Sequence, residues 1–249
     1  MEPPLYYSKP EAINDDLIEL GVKESHHAVR VMHHKRGDLI IVVDGLGNAY
    51  RGEIIQINHN KQVRIKVHSV VRNFGEPNII LTLAGGLSTG TKFNTIIEKG
   101  TELGVKRFVP LLTEKSRIKL DDPKKSKAKI ARYENITLAA IKQCRRSCLP
   151  EISAPISFEK YMQEIDVNDL SLIFHPSRYS RPLSDAIKST EVRRINIIIG
   201  PESGFSENEI ISAKERGVKP ISLGSRILRT ETAGPVTCAL IMNIFNELR

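Results

Sequence analysis

The strongest constraint on the fold is an alternation of short apolar runs with helical stretches that begins at residue 79 and continues to the end of the chain. Helical patterns lie near residues 92–103, 124–145, 182–188, 207–215 and 233–248. The apolar runs between them span residues 79–84, 107–112, 170–174, 195–199 and 220–223. Strands buried on both faces are almost continuously apolar, so this pattern predicts an α/β fold with a parallel sheet covered by helices.

The first seventy residues have a different pattern. Residues 23–34 favour a helix, and alternating apolar residues at 38–44, 49–57 and 61–71 predict three strands joined by turns. Short strands at this spacing are typical of a small antiparallel barrel. With Gly75 and Pro77, residues 72–78 have the composition of a linker, so the sequence predicts two domains, 1–72 and 73–249.

Positive charge is concentrated in about a quarter of the chain. Residues 92–149 contain 15 of the 37 Lys and Arg residues but only 6 of the 29 Asp and Glu residues. A local field of this kind attracts polyanions such as RNA, although a solvated lysine-rich helix face explains it equally well. The aromatic content is only 5% with no Trp, which disfavours base stacking as the main mode of binding.

Several classes of protein are excluded by the remaining composition. No apolar run approaches the roughly 20 residues needed to cross a bilayer, and no signal peptide is visible. Three cysteines, an odd number, favour a reducing compartment. The sequence therefore predicts a soluble, cytoplasmic protein that does not bind a membrane.

The histidines and cysteines do not form a recognisable metal site. On the predicted helix the same-face histidines are seven residues apart, about 10 Å, which is too far to share an ion. His27, Arg30 and His34 instead form a polar stripe that faces solvent or RNA. Cys144 and Cys148 lack a second pair of ligands nearby. We predict no metal.

The loop at 200–206 has the composition of a ligand-binding turn. It reads Gly-Pro-Glu-Ser-Gly-Phe-Ser after a predicted strand, and its glycines permit close approach of a ligand to the backbone. Glu202 contributes a carboxylate, and Ser206 with Glu209 fits a capping box that starts a helix. A tight strand-to-helix turn explains the glycines and the cap, but not the Pro-Glu pair between them.

A second loop, residues 223–233, follows the last predicted strand. Arg226 and Arg229 are three residues apart in it, among apolar residues that can enclose a flat heteroaromatic ring. Ligands of parallel sheets gather at the carboxyl ends of the strands, where His175 also follows a strand. The glycine-rich segment 85–92 lacks the lysine spacing of a P-loop, so we predict a turn there.

Three motifs together carry a family resemblance over essentially the whole chain: GPESGFS at 200–206, LGSRILRTETA at 223–233 and KGTELGVKRFVPL at 99–111. They resemble the RsmE-type 16S ribosomal RNA uridine N3-methyltransferases of the SPOUT superfamily. The resemblance implies a C-terminal trefoil knot, a PUA-like β-barrel that binds RNA, a homodimer, S-adenosylmethionine as cofactor, and 16S rRNA or the small ribosomal subunit as partner. It assigns the cofactor contacts to His175, Gly200, Glu202, Leu223, Gly224, Ile227, Leu228, Arg229 and Thr232.

The resemblance also implies a chemistry. Methylation of uracil N3 removes an N–H proton while negative charge spreads onto the ring oxygens. We expect Arg229 or Arg146 to stabilise that charge, and Glu202 to orient the cofactor or help deprotonation. The basic stretch is expected to bind the RNA backbone, and the RNA-binding candidates are Arg30, Lys124, Lys125, Lys127, Arg145 and Arg146.

Two segments depart from the family pattern. Ser203 replaces the usual second glycine of its loop, and residues 142–146 match the family's Glu-Gln-x-Gly-Arg only at Gln143 and Arg146. Two alternatives stay open: a SPOUT methyltransferase that acts on another RNA base or on ribose, and a non-catalytic RNA-binding or ribosome-assembly protein.

Overall fold

The chain divides into two compact units. The computed structural model describes residues 2–14, 16–88, 90–116, 123–187 and 191–248. One unit comprises Met1–Glu76 together with Leu138–Leu149, and the other comprises Pro77–Thr137 together with Pro150–Arg249. The division after Glu76 falls within the segment that has linker composition. The membership of residues 138–149 in the first unit has no signature in the sequence.

The first unit is built on a six-stranded sheet. Its strands are β1 (Leu5–Tyr7), β2 (Ile13–Asn14), β3 (Leu17–Glu19), β4 (Leu39–Val43), β5 (Asn48–Ile57) and β6 (Val63–Arg72). The order is β1-β4-β5-β6-β3-β2, and every pair is antiparallel except β1 with β4. The three long strands are those predicted from alternation. The sheet curls into a half-barrel whose edges are the short strands β1 and β2.

The helix of the first unit is shorter than predicted. Helix α1 (Val22–His26) passes into a π-helical turn, His27–Val31, and the left-handed backbone of His33 (φ 57°) follows it. The sheet and this helix enclose a core to which alternate residues of each long strand contribute, including Ile40, Ile54 and Ile65. The period of two in these strands is therefore what sets the buried face.

The second unit contains a fully parallel sheet of eight strands. They are β7 (Ile80–Gly86), β8 (Arg107–Leu112), β9 (Glu151–Ile152), β10 (Ile156–Ser157), β11 (Leu170–Phe174), β12 (Arg181–Pro182), β13 (Arg194–Ile199) and β14 (Lys219–Ser222). The order is β10-β8-β7-β13-β11-β14-β12, with β9 also paired to β8. The predicted parallel sheet is confirmed, and its five central strands are the five apolar runs.

Helices cover both faces of this sheet. They are α2 (Lys92–Glu102), α3 (Pro123–Cys144), α4 (Phe158–Glu164), α5 (Leu183–Ala186), α6 (Glu207–Glu215) and α7 (Thr230–Ile244). In β13, Ile195, Ile197 and Ile199 pack in the core with α2 and α7, whereas Ile198 packs in the core with α4 and α6. Alternate side chains thus supply two cores, which explains why the strand is apolar throughout.

The helix bounds differ from the predicted ones at particular residues. Helix α7 begins three residues before the predicted 233, because the extended backbone of Arg229 (φ −65°, ψ 152°) takes the N-cap position. Helix α4 was not predicted. Helix α5 is shorter than the predicted 182–188, and Lys188 lies outside the described residues. Within the described ranges, none of the helices combines the length and the hydropathy needed to cross a membrane.

Candidate active site

Five parallel strands of the second unit end at one edge, and the loops beyond them form a site. In a parallel sheet the carboxyl ends of all strands point the same way, so loops distant in sequence converge there. These are the loops after β7, β8, β11, β13 and β14. Side chains from each loop contact another of the set, as the following contacts show.

A pocket lies between the loops after β11 and β14. Five predicted cofactor residues line it: His175, Leu223, Gly224, Ile227 and Leu228. Ile227 is 88% exposed, an unusual state for an isoleucine, and Gly224 has a left-handed backbone (φ 100°) that an L side chain rarely adopts. We call these five residues and the space between them the carboxyl-edge pocket. Its walls are mostly apolar, although Arg226 also lines the space, and its glycine leaves the backbone accessible.

The loop after β13 is held against the start of α7. The buried Thr230 hydroxyl donates a hydrogen bond to the carbonyl oxygen of Gly200 at 3.1 Å. A Cβ atom at Gly200 would lie 3.2 Å from the ring of Phe205, so a larger residue would have to displace that ring. The two loops that carry most of the predicted cofactor contacts are therefore directly connected.

Glu202 is held in an ion pair rather than left free. Its Oε1 atom lies 2.7 Å from the Nζ atom of Lys92, at the start of α2, and both side chains are partly exposed. The neighbouring Ser203 is not in the left-handed region, and its hydroxyl donates to the carbonyl oxygen of Lys115 at 2.8 Å. The serine that departs from the family pattern thus makes a specific contact with the loop after β8.

Glu209 ties two segments together at the same edge. Its carboxylate is 4% exposed and accepts hydrogen bonds from the backbone N–H of Ser206 at 2.8 Å and from that of Glu114 at 3.0 Å. The Ser206 hydroxyl in turn accepts from the N–H of Glu209, which completes the predicted capping box. One buried carboxylate therefore fixes both the start of α6 and the loop after β8.

We expect Glu209→Gln to destabilise the protein by about 1–3 kcal/mol. The amide keeps one acceptor oxygen where the carboxylate has two, so one of the two partly buried N–H groups loses its acceptor. Urea unfolding followed by far-ultraviolet circular dichroism measures this. Glu207→Gln is the matched control in the same helical turn. Its ion pair with Arg178 is largely exposed, so that change should cost less than about 0.5 kcal/mol. Equal midpoints for the two variants would contradict the assignment.

His175 lies where the carboxyl-edge pocket meets the loop after β13. Its ring packs edge-on against Phe205, with 6.1 Å between centroids, and its carbonyl oxygen accepts a hydrogen bond from the Ser180 hydroxyl. Burial, and secondarily the charge of Lys115, lower the pKa of His175 below its usual value. The imidazole is therefore neutral at pH 7.

Arg229 and Thr232 stand at the start of α7. Both are exposed, and the carbonyl oxygen of Arg229 accepts from the backbone N–H groups of Thr232 and Ala233. The Arg229 guanidinium makes no ion pair with any residue in the described ranges. A cation beside the pocket is thus available to an anion outside the chain.

The structure gives Arg146 a different setting from the predicted one. Its side chain is 2% exposed, and Nη2 lies 2.8 Å from Oε2 of Glu76, which is itself buried. A guanidinium enclosed in this way does not reach a uracil oxygen or a phosphate. Arg146 therefore has a structural role in the first unit, in place of the predicted catalytic and RNA contacts.

The other RNA-binding candidates fall into two groups. Arg30, Lys124, Lys125 and Lys127 are exposed, as binding to a phosphate backbone requires. Arg145 is partly buried, lies 2.9 Å from a carboxylate oxygen of Glu2 and donates to the carbonyl oxygen of a nearby proline. Its charge is therefore partly neutralised within the first unit.

Comparison with known proteins shows the family. Residues 75–242 match the family described as the RNA methyltransferase domain, and residues 20–67 match the RNA methyltransferase PUA domain. The first match alone covers well over half of the chain. The chain belongs to the RNA methyltransferase family.

Two relatives of this RNA methyltransferase match along most of its length. It is 32% identical over 234 residues to ribosomal RNA small subunit methyltransferase E of Synechocystis sp., which spans 93% of this chain and 75% of the relative. It is 33% identical over 219 residues to the Bacillus subtilis protein of the same name, which spans 85% of this chain and 84% of the relative. Among solved structures, it is similar to a methyltransferase of Legionella pneumophila in complex with the bound cofactor SAM, with TM-score 0.86, 30% identity and 98% of both chains covered.

Some residues at the edge of this RNA methyltransferase were missed by the sequence reasoning. Lys92 begins α2 directly after the loop that follows β7, and it contacts Glu202. Lys115 belongs to the loop after β8, and it donates to the carbonyl oxygen of Phe205. Thr230, at the start of α7, joins that helix to the loop after β13. The topology of the sheet could have indicated them, because every loop beyond a parallel strand reaches the same edge. The loops after β7 and β8 therefore belong to the site as much as those after β11, β13 and β14.

Proposed function

We propose that the chain transfers a methyl group from S-adenosylmethionine to N3 of a uridine in 16S rRNA of the small ribosomal subunit. The observation that carries the proposal is the carboxyl-edge pocket, beside which Arg229 makes no ion pair with any of the residues that the structure describes. The relatives named ribosomal RNA small subunit methyltransferase E support the RNA class, and the Legionella pneumophila structure with bound SAM supports the cofactor.

The residues present suit this cofactor. Leu223, Ile227 and Leu228 offer an apolar surface to a flat adenine, and the exposed Ile227 would gain burial from such contact. Gly224 lines the pocket, and a Cβ atom there would meet no atom within 4 Å, so its backbone is open to the edge of the ring. When bound, S-adenosylmethionine would supply an electrophilic methyl group and would leave as S-adenosylhomocysteine. The uracil N3 is the nucleophile, and its proton passes to the Glu202 carboxylate or to solvent. No serine or cysteine nucleophile is needed.

Two side chains take part in this mechanism. Arg229 donates hydrogen bonds to a uracil oxygen as negative charge develops there, an effect worth about 10²–10³-fold in rate. Glu202, which the Lys92 ammonium holds in place, orients the positively charged cofactor. Since N3 lies on the Watson–Crick edge, the uridine reacts only when unpaired or flipped out of a helix.

The finer architecture belongs to the same proposal. It includes the C-terminal trefoil knot that the three motifs imply by resemblance. A homodimer is supported by Val236 and Leu240, which are exposed one turn apart on α7. The proposal has two domains, a PUA-like RNA-binding domain at 1–72 and a methyltransferase domain at 73–249. They bind RNA through the exposed candidates Arg30, Lys124, Lys125 and Lys127. A cytoplasmic location follows from the ribosomal substrate.

The lowered pKa of His175 predicts how cofactor binding depends on pH. A neutral imidazole tolerates a sulfonium nearby, whereas a protonated one repels it, so affinity is full above the lowered pKa and falls as the pH drops through it. We expect the dissociation constant for S-adenosylmethionine to be constant from pH 8 to pH 7 and to rise as the pH falls further, through the lowered pKa of His175. Calorimetric titration measures it. His175→Asn should flatten the curve, and the same slope in that variant would contradict the role.

The function is tested by incubating the protein with methyl-labelled S-adenosylmethionine and three substrates: an unmodified 16S rRNA transcript, small subunits assembled on it, and tRNA transcripts. We expect label in 16S rRNA and a reverse-transcription stop at one uridine, because N3-methylation blocks Watson–Crick pairing. Label in tRNA alone, or in 16S rRNA without the stop, would indicate another base or ribose. Failure to bind S-adenosylmethionine would indicate a non-catalytic RNA-binding protein.

A further inference from the structure

A large cavity in the first unit has no part in the chemistry proposed above. Its volume is about 580 Å³, within the roughly 300–1,000 Å³ typical of small-ligand sites. Most of its lining is apolar, and Tyr7, Leu20, Val22 and Leu138 contribute to it. Val22 is 82% exposed, so an apolar side chain stands uncovered beside it. We call this space the first-unit cavity.

The charges around the first-unit cavity leave a net positive rim. Two carboxylates line it, and both are neutralised: Glu24 lies 2.6 Å from the Nζ atom of Lys142, and Glu19 lies 3.5 Å from the Nε atom of Arg64. Lys9 and Lys23 also line the cavity and are exposed. In the part of the chain that the structure describes, neither lysine makes an ion pair.

This combination selects one class of ligand. An apolar interior with an aromatic ring suits a flat base, the amides of Asn14 and Gln62 offer donors and acceptors to its edge, and two free ammonium groups suit phosphates. A bare phosphate gains nothing from the apolar lining. A base inside a duplex is not available to enter, and an apolar peptide has no use for two lysines.

We infer that the first-unit cavity binds one unstacked nucleotide of the substrate RNA, with its base against the apolar lining and its flanking phosphates at Lys9 and Lys23. The inference rests on the proposed function for the presence of an RNA. It adds a single-strand recognition site to the first unit, whereas the exposed basic residues alone would bind any phosphate backbone.

Gly21 allows the cavity to be blocked without a change of charge. It lines the cavity, its φ of −59° suits any residue, and a Cβ atom built on it meets no atom within 4 Å. Gly21→Leu therefore fills the space that a base would occupy, whereas Gly21→Ala fills little of it. Both variants lose the glycine at the N-cap of α1, so the comparison between them isolates the effect of side-chain size. Their melting temperatures establish that both fold.

The test is fluorescence anisotropy with labelled hexauridylate and with a short RNA duplex, for the wild type and the variants. We expect Gly21→Leu to weaken hexauridylate binding about tenfold or more, Gly21→Ala to weaken it little, and neither to change duplex binding. Lys9→Ala/Lys23→Ala should lower the salt slope by about 1.4, since each phosphate contact on a single strand contributes about 0.7. Lys66→Ala/Lys160→Ala removes two exposed charges outside the cavity and should not change the discrimination between single strand and duplex.

Two results overturn the inference. One is hexauridylate binding by Gly21→Leu that equals that of Gly21→Ala, which would leave the cavity to an apolar peptide of a protein partner. The other is an absence of single-strand binding by the wild type. Neither of these two results bears on methyl transfer at saturating RNA. The proposed function is tested by that methyl transfer. If methyl transfer is lost with all RNAs while the anisotropy results are as expected, the proposed function is refuted and the nucleotide site in the first-unit cavity remains.

Discussion

Arg229→Ala is expected to lower the rate of methyl transfer about 10²–10³-fold while the protein still binds S-adenosylmethionine within about threefold of the wild type. The reason is that the exposed guanidinium has no partner in the described chain and stands at the start of α7, beside the carboxyl-edge pocket. Its effect is expected in the transition state, where charge appears on a uracil oxygen. Single-turnover rates at saturating cofactor and RNA measure it.

Two variants sharpen this expectation. Arg226 is exposed three residues earlier and lines the same pocket, so Arg226→Ala controls for loss of one positive charge and should change the rate less than about tenfold. Arg229→Lys keeps the charge but not the planar fork of donors, and should recover only part of the rate. If Arg229→Ala weakens cofactor binding as strongly as it lowers the rate, Arg229 binds the cofactor rather than the uracil.

The position of Arg229 illustrates what the sequence predicts well. The loops that carry Arg229 and Glu202 follow two of the five apolar runs, and each run became a central strand of the parallel sheet. The run of buried strands and intervening helices fixes the edge at which their loops meet, because a parallel strand has only one carboxyl end. Long periodic segments therefore predict both the fold and the edge of the sheet at which the site lies.

Short elements and long-range pairs are less visible in the sequence. Strand β2 has two residues, too few for any period, and it exists because β3 supplies its hydrogen bonds. The ion pair of Lys92 with Glu202 joins residues 110 positions apart, and neither residue's neighbours in the sequence specify the other. Such features depend on the tertiary structure, which decides which loops approach each other.

Arg146 matches the family motif, but the structure does not place it where its predicted role requires. In the sequence it is one of two adjacent arginines in a basic stretch, which indicates an exposed phosphate-binding pair. In the structure, residues 138–149 belong to the first unit, and Arg146 is enclosed with Glu76, a residue of the segment predicted as a linker. Nothing in the local pattern distinguishes a buried arginine from an exposed one when its partner is 70 positions away.

We expect Glu76→Gln to destabilise the protein by about 3–5 kcal/mol, because it removes the carboxylate charge that lies 2.8 Å from the buried Arg146 guanidinium. Both side chains are almost fully buried, and Glu76 also accepts a hydrogen bond from the backbone N–H of Cys148 at 2.8 Å. The expected effect is large since a buried ion that loses its partner keeps the full cost of its desolvation. Urea unfolding followed by circular dichroism measures the change.

The double variant Glu76→Gln/Arg146→Met distinguishes a structural role of Arg146 from a catalytic one. It removes both charges, keeps an acceptor for the Cys148 N–H, and replaces the guanidinium stem with an apolar chain of similar length, so most of the lost stability should return. If the pair is structural, this variant transfers methyl groups at a rate within about threefold of the wild type, whereas a residue that stabilises the transition state would cost about 10²–10³-fold in any background. A stable double variant with a rate lowered by that amount would show that Arg146 takes part in catalysis despite its burial.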